Sequence, residues 1–177
     1  MPRLALAIAV TTLLPASFTA QAHHFSTSPI SSPGCTGAVT STGFPATCEV
    51  FGNSIASAND AQLVASGLPA NQFVFFFTGL ADVPPMTVNS GNGWVCINPA
   101  AAGGFGRFAA PNQIKNSGPL GTVTLDTNAG EWTLASIPSP WGNYAAVAGR
   151  TSYFEAWFRD PVGAGYNFTG SAVMTWQ

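Results

Sequence analysis

The chain has 177 residues and a formal net charge of −2; 46% of it is hydrophobic and only 7% is charged, against roughly 25% charged in an average soluble protein. Five basic residues, scattered singly, cannot neutralise a run of phosphates, so no nucleic-acid partner is expected. Hydrophobicity this high argues against disorder, and so small a stock of Glu, Lys and Arg argues against long exposed helices or coiled coils. With 19 Gly and 14 Pro, the composition suits a β-rich domain with frequent corners and a neutral polar surface.

Residues 1–22 read as an export signal. Arg3 supplies the positive start, an apolar stretch runs from Leu4 to Leu14, Pro15 breaks any helix, and Ala20-Gln21-Ala22 offers the small residues that signal cleavage requires. The apolar run falls short of the ~20 residues that span a bilayer. Cleavage is expected after Ala22, with no transmembrane segment following, which makes the product secreted or extracellular. Residues 23–34, opening His23-His24-Phe25, are Ser/Thr/Pro-rich and read as a flexible leader to a single domain over 35–177.

From there the chain repeats one theme, a short β-branched or aromatic run followed by a turn cluster. Strands are expected at 47–51, 62–66, 72–78, 93–97, 105–109, 122–126, 131–135, 152–160 and 171–176. Turns are expected at Gly67-Leu68-Pro69, Val83-Pro84-Pro85, Asn89-Ser90-Gly91, Asn116-Ser117-Gly118, Asn128-Ala129-Gly130 and Asp160-Pro161. Only 99–104 has a helical look. About nine short strands without a 3.6-residue period predict an all-β fold, a two-sheet antiparallel β-sandwich of jelly-roll or immunoglobulin-like type. Strand alternation sends Phe73, Phe75 and Phe77 to one face and Val74 and Phe76 to the other, which marks a central strand covered on both sides. The same rule pairs Val123 with Leu125, Trp132 with Leu134, and Ala172 with Met174 and Trp176. A membrane barrel is disfavoured, because its strands need about 9–11 residues each.

Export makes a disulfide chemically possible. Cys35, Cys48 and Cys96 allow three pairings. Cys35–Cys48 is preferred for its short span and would be worth about 3 kcal/mol; the remaining thiol reads as a small buried hydrophobe. Beyond His24 there is no histidine, so a Ser-His-Asp arrangement has no base. No Cys/His pattern suits zinc, and His23 with His24 would make only a loose copper site. Neither a metal, a cofactor nor a catalytic residue is expected. Asp126-Thr127-Asn128-Ala129-Gly130-Glu131 imitates the start of a calcium loop but lacks the remaining ligands, and reads as a tight turn. The acidic residues Glu49, Asp60, Asp82, Asp126, Glu131, Glu155 and Asp160 show no spacing that marks a glycosidase pair.

The run Phe154-Glu155-Ala156-Trp157-Phe158-Arg159-Asp160 carries most information. Alternation puts Phe154, Ala156 and Phe158 on one face and Tyr153, Glu155, Trp157 and Arg159 on the other. Two rings, a carboxylate and a guanidinium together suit a carbohydrate, the rings covering apolar sugar faces while the charges bond hydroxyls. The competing reading has Trp157 in the core and Arg159 as a paired structural charge. Asp160 and Asn167 bracket the loop 161–166 and are expected to cap its ends.

Several segments resemble, in order, a recurrent exported bacterial module. They are Ser41-Thr42-Gly43-Phe44-Pro45-Ala46, Asn59-Asp60, Gly67-Leu68-Pro69 with the Phe-rich strand, Cys96, Gly106-Arg107-Phe108, Asn116-Ser117-Gly118, the Phe-x-Ala-Trp-Phe-Arg-Asp run and Asn167-Phe168-Thr169. The resemblance covers about 35–177. It implies a β-sandwich used as an extracellular accessory part without established activity, in which Arg107, Asp160 and Asn167 are structural. Three departures stand out: Glu155 replaces a usual Gln, Thr78 stands where a cysteine partner for Cys96 is common, and Cys48 is additional. The resemblance thereby offers Cys48 as an alternative partner for Cys96. The expected function is a secreted, non-enzymatic binding module for a neutral extracellular polysaccharide or a cell-surface partner. A carboxylate-dependent glycan hydrolase and a structural surface-assembly unit are the alternatives.

Overall fold

A computed structural model describes residues 27–79, 81–87, 93–98, 104–162 and 165–177. The signal segment, His23, His24, the turn at 89–91 and most of the helical-looking stretch 99–104 lie outside the described residues. Period-2 alternation turns the described chain into antiparallel strands: β1 (Ser32–Pro33), β2 (Thr47–Gly52), β3 (Ala61–Ser66), β4 (Phe73–Gly79), β5 (Asp82–Thr87), β6 (Trp94–Ile97), β7 (Gly106–Arg107), β8 (Lys115–Asn116), β9 (Val123–Asp126), β10 (Ile137–Ser139), β11 (Gly142–Tyr144), β12 (Thr151–Arg159), β13 (Tyr166–Phe168) and β14 (Ala172–Thr175). The single helical piece described is a 3-10 turn, Ala56–Ala58. No helix among the described residues is long and apolar enough to cross a membrane.

Seven strands form one open sheet in the order β1-β14-β12-β4-β7, with β13 also paired to β12 and β8 to β4. Three form a second sheet, β2-β3-β9, and β5–β6 and β10–β11 are two-stranded ribbons. The expected alternation sets the packing. Val74 and Phe76 of β4, Phe154, Ala156 and Phe158 of β12, and Ala172 and Met174 of β14 share one hydrophobic cluster with Val50, Leu63 and Leu125 of the three-stranded sheet. Fully burying each large side chain contributes about 1.5–3 kcal/mol. A second cluster lies on the other face of β4 and β12, built on Phe77, Val95, Ile97 and Phe168. The second face of β4 is covered only in part: Phe77 is buried, Phe75 half-buried and Phe73 is 59% exposed, so the unbroken apolar run, which predicts a strand covered on both sides, overstates the covering.

Five differences from the sequence reading have physical causes. Fourteen strands lie among the described residues rather than the nine expected, the extra ones being mostly two- and three-residue pairings too short to leave a periodic signal. Val83-Pro84-Pro85 is not a turn but part of β5; a register shift between Asp82 and Met86 and the two-stranded ribbon accommodate prolines that a central strand would not. Segment 131–135 is not a strand. Trp132 and Leu134 are buried together as expected, but the Leu134 amide donates to Asn59 Oδ1 at 2.7 Å and the Trp132 indole to the Leu125 carbonyl at 2.9 Å, so neither bond extends a ladder. The described end of the leader is bonded into the domain: Ile30 N–H donates to Val50 O at 2.7 Å, and Ser32 and Pro33 pair with Val173 and Ala172.

The disulfide is the fifth. It joins Cys35 to Cys96, with Cα atoms 5.8 Å apart and a sequence separation of 61, in place of both Cys35–Cys48 and Cys48–Cys96. Position on β2 decides this. Cys48 alternates inward with Val50 and is buried as a free thiol, and burial, with the charges of Glu155 and Glu49 adding, pushes its pKa far up. Cys35 is held at the sheet edge instead, its amide donating to Ser171 Oγ at 2.9 Å and its carbonyl accepting from Ser171 N–H at 3.1 Å. Thr78 carries a hydroxyl rather than a thiol and so offers no disulfide; the hydroxyl donates instead to the Pro138 carbonyl. At that contact β7 and β10 approach so closely that a Cβ on Gly106 would stand 2.3 Å from the Pro138 oxygen, which only glycine permits.

Candidate functional site

The two faces of β12 meet different environments. Its Phe154 side enters the main core, whereas Tyr153, Glu155, Trp157 and Arg159 point to the second face of the seven-stranded sheet. The β5–β6 ribbon covers one end of that face. Glu155 lies beneath it, fully buried at 0% exposure, with Oε2 accepting the Cys96 backbone N–H at 3.0 Å and Oε1 without a hydrogen-bond partner among the described residues. Burial raises this carboxyl well above the usual range, opposed by the backbone N–H groups of Cys96 and Ile97 and reinforced by the charge of Asp82. Glu155 therefore pins the ribbon to β12 and is closed off from solvent. Tyr153 is half-buried in the second cluster.

Beyond the ribbon the face opens. Trp157 is half-buried and Arg159 exposed. Register sets Trp157 opposite Phe75 on β4 and opposite Phe168 on β13, and Arg159 opposite Tyr166. Trp157 stacks on Phe75 at 5.1 Å and 22° and on Tyr166 at 6.1 Å and 25°, so neighbours cover both indole faces and the ring edges look outward. Phe77 meets Phe105 and Phe168 edge to face at 4.8 and 5.9 Å. On the far side the Arg107 guanidinium lies over Phe75, 5.9 Å from the ring centroid. Phe75, Phe77, Phe105, Arg107, Trp157, Tyr166 and Phe168 together line a cleft of about 380 Å³, and Arg159 is not part of its lining.

Of the four candidates on β12, Trp157 alone lines the cleft, while Tyr153, Glu155 and Arg159 do not; Arg107, expected to be structural, does. The sequence reading missed Phe75, Phe77, Phe105, Tyr166 and Phe168 as lining. The Phe73/Phe75/Phe77 alternation was the available signal, since three rings on one face of a central strand need neighbours as large as themselves. Asp160 caps one end of the loop 161–166 as expected, whereas Asn167 bonds to Val39, Asp160 and the Phe168 amide rather than to that loop. Asp160 accepts from the Ser41 and Val162 amides at 3.0 and 3.3 Å. Asn167 Nδ2 donates to the Val39 carbonyl at 3.2 Å and to Asp160 at 3.4 Å. Residues 126–131 form a tight turn: Asp126 accepts the Asn128 amide at 2.8 Å, Gly130 has φ +69°, and Glu131 pairs with Lys115.

No protein-family model, curated protein or solved structure matches the chain.

Proposed function

We propose that the chain is an exported two-sheet β-sandwich that acts as a binding module for an extracellular glycan, its site the aromatic cleft on the second face of the seven-stranded sheet. One observation carries this reading. Six aromatic side chains from four separate segments converge on an open concavity beside an exposed guanidinium, whereas a sheet face needed only for stability would be closed over. Aromatic edges and faces supply contact area at small entropic cost. Placement of the acids favours binding over hydrolysis. All seven lie within the described residues, none lines the cleft, and Glu155, the one acid on this face of β12, is enclosed.

The test is retention on a glycan array. Trp157→Ala is expected to abolish retention and also to cost about 1–3 kcal/mol, since it removes two stacked pairs worth about 0.5–1.5 kcal/mol each; the array is therefore read well below the unfolding midpoint. Trp141→Ala, at an exposed ring on the turn between β10 and β11, should leave retention unchanged. Retention that survives Trp157→Ala, or that disappears with Trp141→Ala instead, would remove the cleft as the site.

A further inference from the structure

The basic residues of the domain are unevenly used. Lys115 is neutralised by Glu131. Arg150 donates to the Ala145 carbonyl at 3.1 Å and lies over Tyr144, 5.3 Å from its centroid. The other two, Arg107 and Arg159, stand at opposite ends of one row of rings. From β7 to β13 the row reads Arg107, Phe75, Trp157, Tyr166, with Arg159 in register beside Tyr166. Four strands at about 4.8 Å spacing make the row roughly 14 Å long, room for a short run of sugars rather than a single one. Neither arginine forms an ion pair with a described residue. The internal positions outside the described residues (80, 88–92, 99–103 and 163–164) contain no charged residue, so no acid from them can neutralise the pair.

We infer that the cleft selects acidic glycans, and that Arg107 reads the carboxylate of a uronic acid. This rests on the cleft being a glycan site, and it replaces the neutral polymer suggested by composition with a charged one. The cation–π contact with Phe75, 5.9 Å from guanidinium carbon to ring centroid, holds the Arg107 head group at the end of the row. A planar fork of donors held in that way matches a carboxylate in bidentate fashion, which an ammonium cannot do. The sugar rings then lie along the outward edges of Phe75, Trp157 and Tyr166, and Arg159 supplies a second positive end for the chain. Enclosure of Glu155 serves the same selectivity, because a carboxylate presented on that face would repel the ligand.

Calorimetric titration with matched pairs tests this: oligogalacturonate against its methyl ester, and oligomannuronate against neutral mannan oligomers. Tight, salt-sensitive binding of at least one acid form and loss of about tenfold or more on its neutral counterpart are expected. Arg107→Ala should weaken the acid form about tenfold, and Arg107→Lys should restore it only in part. Arg150→Ala, which removes the same charge elsewhere, should change nothing. If acid and neutral oligomers bind alike, or Arg107→Ala binds as the native chain does, the acid selectivity is wrong while the cleft remains a glycan site. Binding confined to sulfated glycans overturns the carboxylate assignment. If no glycan of any class binds, the cleft reading falls with it.

Discussion

Replacing Cys35 and Cys96 together by alanine is expected to lower the free energy of unfolding by about 4 kcal/mol. The crosslink closes a loop of 61 positions, and the chain-entropy cost of leaving such a loop open lies between the values for a short hairpin and for a whole domain. For a domain of ordinary stability, about 5–15 kcal/mol, that is a large fraction. The loss should concentrate at one place. Cys96 sits in the strand whose backbone N–H anchors Glu155, so hydrogen exchange should accelerate in β5 and β6 before the three-stranded sheet responds. Urea denaturation of the native chain, with and without reductant, and of the double alanine variant provides the measurement; a shift under about 1 kcal/mol would show that the crosslink restrains nothing the fold does not already hold. Maleimide should leave Cys48 unmodified in the folded chain and label it only on unfolding, since that thiol is enclosed and its ionisation is suppressed by burial.

Stability of the native chain should fall as pH rises, and Glu155→Gln should abolish that dependence. Burial holds the Glu155 carboxyl well above 4.5, so the folded chain binds a proton that the unfolded chain releases near the ordinary value. The contribution is complete below about pH 4.5 and is lost as pH climbs through the folded-state value, where forming a charge under the β5–β6 ribbon becomes part of the cost of folding. Glutamine keeps an acceptor for the Cys96 N–H and has nothing to ionise, so its denaturation midpoint should stay level over that interval and exceed the native one at alkaline pH. Glu155→Leu should be worse at every pH by about 1–3 kcal/mol, because it leaves that N–H buried without a partner. Parallel midpoint curves for the native and Gln chains would place the titrating group elsewhere.

Strand periodicity made the core legible. Phe76, Phe154, Phe158, Met174 and Trp176 are buried, in agreement with the alternation read from each run. Alternation also placed Glu155 and Trp157 on one face, but it has no means of reporting what covers that face. The β5–β6 ribbon, which encloses one and spares the other, arrives from sixty positions earlier through prolines that read as a turn. The disulfide was hidden for a related reason: Cys35 reaches Cys96 only because β1 pairs with β14, a bond between the two ends of the domain that no local pattern carries. The cleft is likewise a product of register. Phe75, Trp157 and Tyr166 are unremarkable apart, and become a row only when β4, β12 and β13 are set side by side.

The pairing of β1 with β14 also governs how the molecule bears load. Ser32 faces Val173 and Pro33 faces Ala172, so the preceding and following chain leave from the same end of an antiparallel pair. Tension applied to the two termini loads those few bonds one after another, as in opening a zipper, rather than shearing them together. Extension on the N-terminal side then halts at Cys35, whose covalent tie to Cys96 passes the pull into the middle of the protein after only a few residues have come free.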